Sequence, residues 1–297
     1  MYSEDDILAK FSLNTLQYLR KKHEGGSNNL KGNSYENHFT VYKIACLSAD
    51  VIEGGQNIVL WSQILAFVDD LIIDYAGRSA LQHFQLKSGQ SVSWGEGDKS
   101  ISSDFSDQKK LNDSRARSSQ ITLVVSSPEL KQTLEEKIPA NIKDYSQIAH
   151  FHYAPSINAV LDREPHFQQV VQYLCAVENA TKDKLETVSA VLLGAWVASG
   201  KSGISVMEIL EKAQQHSPSY IRIFGPEPEL NPQLKDVLDN IPNFQYKVSK
   251  GFLHWEFGGG IDKGTFTYSC ETLDFRRFEE RIKVYQPTSF DELENLL

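Results

Sequence analysis

One segment of the 297-residue chain constrains the fold more than any other: FVDDLIIDYAGRSALQHFQLKSG, at residues 67–89. Two apolar runs flank Gly77-Arg78, a pattern that predicts a β-hairpin. The segments around the hairpin predict further elements: helices at 3–22 and from residue 33 or 34, a loop at 23–34, a short helix near 103–112, and strands at 121–127 and 148–154. Helices and strands in this order indicate an α/β fold, a mixed sheet flanked by helices.

The predicted turn fixes which side chains lie opposite one another. Asp74 then pairs with Leu81, and Asp70 pairs with Gln85. Residues two apart along a strand share a face. Asp70, Gln85 and Lys87 should therefore emerge on one face of an otherwise apolar hairpin. Buried polar groups of this kind are costly unless they meet one another or a ligand.

Composition narrows the class of protein. The chain is 40% apolar and 23% charged, and it has no apolar run of the length that a membrane span needs. Its acidic, polar start is unlike a secretory signal, and its three separated cysteines fit a reducing, cytoplasmic compartment. A net charge of −9 repels free nucleic acid on average, so DNA binding would need a local basic patch or a partner.

The pattern of predicted secondary structure changes near residue 160, from mixed helices and strands to mostly helices. Helices are predicted at 162–181 and 183–199, and Ser205 with Glu208 forms a capping box that opens another helix. An alternating segment near the end predicts a second hairpin. We therefore expect two domains, at 1–160 and 161–297, the second mostly helical, winged-helix-like in outline and suited to binding a partner or to regulation.

The polar face of the first hairpin suits metal-assisted hydrolysis. A carboxylate oxygen of Asp70 and the amide oxygen of Gln85 are hard ligands for Mg²⁺, which retains waters and binds substrate phosphates. Lys87 beside the metal can orient the attacking water or neutralise charge on the phosphate. These three residues predict a phosphodiester hydrolase that uses Mg²⁺ or Mn²⁺.

Asp70 followed by Gln85-x-Lys87 resembles the PD-(D/E)xK nuclease superfamily, in the variant with Gln in place of the second acid, as in Mrr-type restriction enzymes. Two flanking segments strengthen this resemblance. The preceding segment, LKGNSYENHFTVYKIACL, places Glu36 on the helix before the hairpin. The following segment, SWGEGDKSISSDF, resembles the loop after the motif in the double-stranded DNA endonucleases of CBASS, Lamassu and related anti-phage systems. The resemblance covers roughly residues 28–155 and implies a restriction-endonuclease-like fold. It also implies that Asp70, Gln85 and Glu36 bind the metal.

The remainder of the chain does not match the nucleotide-sensing SAVED domain of the CBASS effectors, which favours control by a partner subunit. The leading hypothesis is a metal-dependent endodeoxyribonuclease subunit of a prokaryotic antiviral defence system, acting on DNA with an ATPase, SMC-like or other defence subunit. A homo-oligomer would allow two strands to be cut. The alternative is a non-catalytic scaffold or adaptor subunit. A winged-helix DNA-binding regulator is disfavoured, because the residues that would form its recognition helix are close to neutral.

Other motifs have more ordinary interpretations. Asp69 is one residue from Asp70 and should therefore point to the opposite face of the strand, away from Gln85 and Lys87. Asp74 shares their face but lies too far along the strand from them. AWVASGKS, at 195–202, matches a loose P-loop pattern but reads as a connection between helices. His150 and His152 share a strand face without a third ligand in register. His83 has the parity of Asp70 and is either a neighbour of the site or a core histidine.

Overall fold

A computed structural model describes residues 1–26 and 30–297, and of residues 24–26 and 30–32 it describes the backbone alone. The chain begins with helices α1 (Glu4–Leu8) and α2 (Leu13–Gly26), followed by α3 (Leu30–Ile52). Ser3 caps α1 in a reciprocal box with Asp6. The single helix predicted at 3–22 is therefore wrong: Ser12 Oγ accepts the backbone N–H of Thr15 at 3.3 Å and starts a second helix.

The loop predicted at 23–34 is also mostly helical, since α2 runs to Gly26 and α3 starts at Leu30. Residues 27–29, in its middle, lie outside the described residues. Helix α3 begins at Leu30, before the start predicted at residue 33 or 34, and ends at Ile52, just before Gly54 and Gly55.

A six-stranded mixed sheet follows, flanked by helices, as the sequence predicted in outline. Its strands are β1 (Ile58–Trp61), β2 (Leu71–Tyr75), β3 (Ala80–Lys87), β4 (Ser118–Val125), β5 (Ser146–His150) and β6 (Ser202–Ser205). Their spatial order is β5-β4-β3-β2-β1-β6. Strands β3, β4 and β5 are mutually parallel, whereas β1 pairs antiparallel with both β2 and β6. The hairpin of β2 and β3 is confirmed and lies at the centre of the sheet.

Helices cover both faces of this sheet. They are α3, α4 (Ile101–Ser114) and α5 (Pro128–Glu136); α6 (Ile157–Arg163) follows β5 in the chain. On one face, Phe39 of α3 packs against Phe84 of β3, with ring centroids 5.3 Å apart. On the other, Phe105 of α4 belongs to an apolar core with Ile121 and Leu123 of β4. Adjacent residues of β3 and β4 therefore alternate between two buried faces, as central strands should.

The chain forms two compact units, residues 1–170 with 189–212, and residues 171–188 with 213–297. The division falls inside α7 (Pro165–Leu174), α8 (Lys182–Ala198) and α9 (Val206–His216). The domains at 1–160 and 161–297 stay a prediction. Among the described residues, no helix is both long enough and apolar enough to cross a membrane.

The second unit contains a three-stranded antiparallel sheet, in the order β7-β8-β9. Its remaining elements are α10 (Pro232–Asp239), β7 (Phe244–Ser249), β8 (Phe252–Phe257), β9 (Asp262–Thr265), α11 (Leu273–Tyr285) and α12 (Phe290–Glu294). Apolar side chains from α10, the sheet and both final helices form one core, which includes Leu234, Leu253 and Phe278. The predicted hairpin near the end of the chain is present as β7 and β8.

Candidate active site

The hairpin register brings Asp70 and Gln85 together. Asp74 pairs with Leu81, as the turn position predicted, and Leu71 with Phe84 is the last pair of the ladder. Asp70 precedes β2 directly and so lies beside Gln85. Its Oδ2 atom accepts the side-chain N–H of Gln85 and, at 2.6 Å, the backbone N–H of Leu86. Hydrogen bonds to a carboxylate are strong, and these two fix the position of Asp70.

Glu36 reaches the same place from α3. The Nε2 atom of Gln63 donates to Glu36 Oε2 at 2.9 Å and lies 3.5 Å from Asp70 Oδ1. Gln63 belongs to the loop between β1 and β2 and has a left-handed backbone, with φ of 53°. This amide bridge between the two carboxylates has no sequence signal, since it depends on a loop conformation.

The electrostatics of Glu36 reflect its surroundings. Burial and, after it, the nearby Asp70 carboxylate raise the pKa of Glu36 to about 7. The Gln63 amide and the charges of Lys87 and Lys201 act in the opposite direction without cancelling the effect. Two carboxylates thus share a partly buried space with too little positive charge beside them.

Lys87 is the last residue of β3 and pairs with Val125 of β4. Lys87 is two residues from Gln85 on β3, so both side chains lie on the same face of the strand. The side chain is half-buried, and within the part of the chain that the structure describes its Nζ forms no ion pair. Burial raises the pKa of both Glu36 and Asp104, and the charge of Lys87 opposes that rise.

A second group of charges adjoins Gln85, and sequence reasoning missed it. Lys22 Nζ, from α2, donates to Asp104 Oδ2 at 2.8 Å and lies 3.4 Å from Gln85 Oε1 and 4.0 Å from Asp69 Oδ1. Tyr18 Oη donates to Asp104, 3.1 Å from each carboxylate oxygen. Burial lowers the pKa of Lys22, but Asp104 and Asp69 outweigh it and raise the pKa, so the ammonium is retained.

Asp69 has a different environment from Asp70. It is 2% exposed, and burial, followed by the charge of Asp70, raises its pKa well above the ordinary range. Its Oδ1 atom has no hydrogen-bond partner among the described residues. The choice of Asp70 over Asp69 stays a prediction, and Asp69 lies 4.0 Å from the Lys22 ammonium.

A buried polar network supports the loop that leads into Asp70. Gln108 Oε1, from α4, accepts the backbone N–H groups of Phe67 at 3.0 Å and Val68 at 3.2 Å. His83 contacts the Val68 carbonyl at 2.9 Å and Asn112 at 3.2 Å, and burial lowers its pKa to about 4. The sequence left His83 as either a neighbour of the site or a core histidine, and the structure supports the hydrogen-bonded core histidine.

The remaining motifs have partners of their own. Asp74 pairs with Arg117. Lys201, in the loose P-loop pattern, occupies a turn between α8 and β6 rather than between two helices, and its Nζ donates to Asn33 Oδ1 at 3.2 Å. His152 Nδ1 lies 2.8 Å from Glu164 Oε1, and its ring packs on that of His150 at 4.3 Å.

The donor set suits a hard cation. Glu36 and Asp70 supply carboxylate oxygens, and a divalent ion would offset both the burial and the like charge that raise the pKa of Glu36. Gln85 presents nitrogen to Asp70, so its oxygen would join this set after the amide rotates. No cluster of three His, Cys, Asp or Glu side chains that could hold a metal occurs among residues 1–26 and 30–297. A metal here would rely on two carboxylates, the amide and water.

The chain matches no protein-family model, and no curated protein or solved structure is significantly similar to it.

Proposed function

We propose that this chain is a metal-dependent DNA endonuclease whose catalytic centre is formed by Asp70, Gln85, Lys87 and Glu36, in a fold of the restriction-endonuclease type. The observation that carries the proposal is the meeting of Asp70 and Gln85 across the hairpin, with Lys87 two residues further along β3. These are the residues on which the likeness to PD-(D/E)xK nucleases rests. The burial of Asp70 and Gln85 in a central hairpin is unusual for groups that serve structure alone.

The residues have separable roles. Asp70, Glu36 and, after amide rotation, Gln85 would hold Mg²⁺ or Mn²⁺, which supplies an activated water and neutralises charge on the phosphate. Gln63 holds Glu36 beside Asp70 through its amide. Lys87, which has no acidic partner within the described residues, can donate to the water or to a phosphate oxygen.

The biological setting follows from the same resemblance. We place the protein in the cytoplasm, as a subunit of a prokaryotic anti-phage system that an ATPase, an SMC-like protein or another subunit activates. The net charge of −9 opposes unassisted binding to DNA and supports such dependence on a partner. Two copies would be needed to cut both strands together. The predicted C-terminal domain at 161–297, winged-helix-like in outline, would then bind the partner.

A scaffold or adaptor subunit is the second candidate, and one observation favours it. The Gln85 amide is satisfied at both ends, its nitrogen by Asp70 and its oxygen by Lys22, without any metal. A hydrogen-bonded buried network can be purely structural.

Cleavage of supercoiled and linear plasmid with Mg²⁺ or Mn²⁺ separates the two candidates. The wild type is compared with Lys87→Ala and with Lys131→Ala, a matched surface control on α5. Metal-dependent cleavage that only Lys87→Ala abolishes supports the nuclease. If the isolated chain is inactive, the same set is tested with the products of neighbouring genes. A whole system that works equally well with Lys87→Ala refutes catalysis and leaves the scaffold.

A further inference from the structure

Lys22 extends its ammonium group into a pocket formed by oxygen atoms. Nζ lies 2.8 Å from Asp104 Oδ2, 3.4 Å from Gln85 Oε1 and 4.0 Å from Asp69 Oδ1, and it also donates to the backbone carbonyl of Phe67. Carboxylate, amide and backbone carbonyl oxygens together are the ligand set of a hard divalent cation. An ammonium on a flexible side chain therefore occupies a position that a metal ion would suit.

The charge and the hydrogen bonding of this pocket are not balanced by Lys22. Two buried carboxylates, Asp69 at 2% exposure and Asp104 at 7%, face one ammonium. Asp69 Oδ1 has no hydrogen-bond partner within residues 1–26 and 30–297. An unsatisfied buried oxygen is costly, and at 4.0 Å the ammonium satisfies it only through its charge. A divalent ion would bind both carboxylates.

We propose that Lys22 is a tethered cation within a divalent-cation site of its own, formed by Asp69, Asp104, Gln85 and the Phe67 carbonyl, and that this site accepts Mg²⁺ or Mn²⁺ when the ammonium is absent. The site is separate from the one assigned to Asp70 and Glu36, because neither of those carboxylates contacts Lys22 within 4.0 Å. Gln85 is the residue that the two sites share.

Sharing Gln85 gives Lys22 a regulatory role, and this part of the inference rests on the proposed nuclease function. The ammonium attracts Gln85 Oε1 and so keeps the amide nitrogen directed at Asp70. Rotating the amide would set its N–H groups against Lys22 and its oxygen against Asp70. Withdrawal of Lys22 removes the repulsion of the rotated N–H groups, and the single amide oxygen of Gln85 can then serve one cation at a time, beside Asp70 or in the second site.

Titration of the full chain with Mn²⁺, followed by the electron paramagnetic resonance signal of free Mn²⁺, tests the cation site without reference to cleavage. Lys22→Met keeps the length of the side chain and removes its charge, and we expect it to bind one more Mn²⁺ per chain than the wild type. Lys21→Met changes the exposed neighbour on the same helix and should leave binding unchanged. Adding Asp104→Asn to Lys22→Met should remove most of the gain.

Lys22→Met leaves two buried carboxylates without a counter-charge and can fail to fold. The charge-balanced variant Lys22→Met with Asp69→Asn keeps an oxygen donor at each position of the pocket and tests the same site. We expect its thermal midpoint to rise with Mn²⁺ by more than that of the wild type, since ligand that binds the native state stabilises it. If folded variants bind no more Mn²⁺ than the wild type, the inference is refuted.

The outcomes also separate this inference from the proposed function. Loss of cleavage in Lys87→Ala, without added Mn²⁺ binding in either Lys22 variant, supports the nuclease and refutes the second cation site. Added Mn²⁺ binding in a protein whose function is indifferent to Lys87→Ala supports the cation site and refutes the nuclease.

Discussion

Gln85 meets Asp70 through its amide nitrogen, which donates to Asp70 Oδ2 across the start of the hairpin. The carboxylate is thereby satisfied by a neutral donor instead of by a cation. Both residues are buried, at 3% and 7% exposure, so the bond is shielded from water. A site held in this way is stable without metal, and any metal must displace the amide nitrogen from Asp70 before it binds the amide oxygen.

Gln85→Glu should destabilise the protein in the absence of metal and make its stability depend on bound metal. A glutamate cannot donate to Asp70 when ionised, and it adds a like charge at short range. We expect the variant to lose about 1–3 kcal/mol of unfolding free energy in EDTA. Mn²⁺ should raise its thermal midpoint by more than that of the wild type, because two carboxylates then bind the ion. Calorimetry with and without Mn²⁺ measures both effects.

Gln120→Glu is the matched control, since Gln120 is exposed on β4 and its side-chain amide donates to Gln147 Oε1 at 3.1 Å. It should change stability little in either condition. Equal responses of the two variants to Mn²⁺ would contradict a metal site beside Asp70.

Lys87→Met should separate activity from stability. Within the described residues, Lys87 Nζ forms no ion pair that folding would lose. We expect the free energy of unfolding in urea to change by about 0.5 kcal/mol or less. Single-turnover cleavage should fall about 100-fold or more, as when a group that stabilises the transition state is removed. A large loss of stability with normal cleavage would make Lys87 a structural residue.

The central hairpin could be predicted from the sequence because its signals are local. Gly77-Arg78 between two apolar runs fixes the turn, and the turn fixes the register, as the pairing of Asp74 with Leu81 confirms. The placement of Asp70 beside Gln85 follows directly. The four-residue strands β1 and β6 were missed, because such short segments carry too little periodicity to be recognised.

The charges around Lys22 could not be predicted in the same way. Lys22 and Asp104 are 82 residues apart in the sequence and meet only because α2 and α4 pack on the same side of the hairpin. In the sequence, Lys22 is a basic residue at the end of the helix predicted at 3–22, where a positive charge suits the helix dipole. One signal was available: Asp104, Gln108 and Asn112 recur every four residues and form a buried polar stripe on α4.

Glu36→Gln should make the protein more stable at alkaline pH in EDTA. The folded pKa of Glu36, about 7, lies above its ordinary value of 4.5, so the folded state binds the proton more tightly than the unfolded state. The destabilisation is absent below pH 4.5, grows as pH rises, and is complete above about pH 7. Urea unfolding at pH 5 and pH 8 should show the variant's advantage mainly at pH 8.

Glu129→Gln provides a comparison of opposite sign. The Ser127 hydroxyl holds the pKa of Glu129 below its usual range, so its ionised form favours folding. Removing that charge should slightly destabilise the protein at pH 8. An advantage of Glu36→Gln that is the same at both pH values would show that folding does not raise the pKa of Glu36.

Gln108→Ala should loosen the loop that carries Asp69 and Asp70. Gln108 is fully buried, and its oxygen accepts the backbone N–H groups of Phe67 and Val68. Alanine leaves both donors unpaired, and we expect a loss of about 2–4 kcal/mol in unfolding free energy. Mn²⁺ affinity should fall as well, because the loop no longer holds the carboxylates in place. Gln132→Ala, exposed on α5, should change neither quantity. If Gln108→Ala loses stability but binds Mn²⁺ normally, the position of Asp70 is set by the hairpin alone.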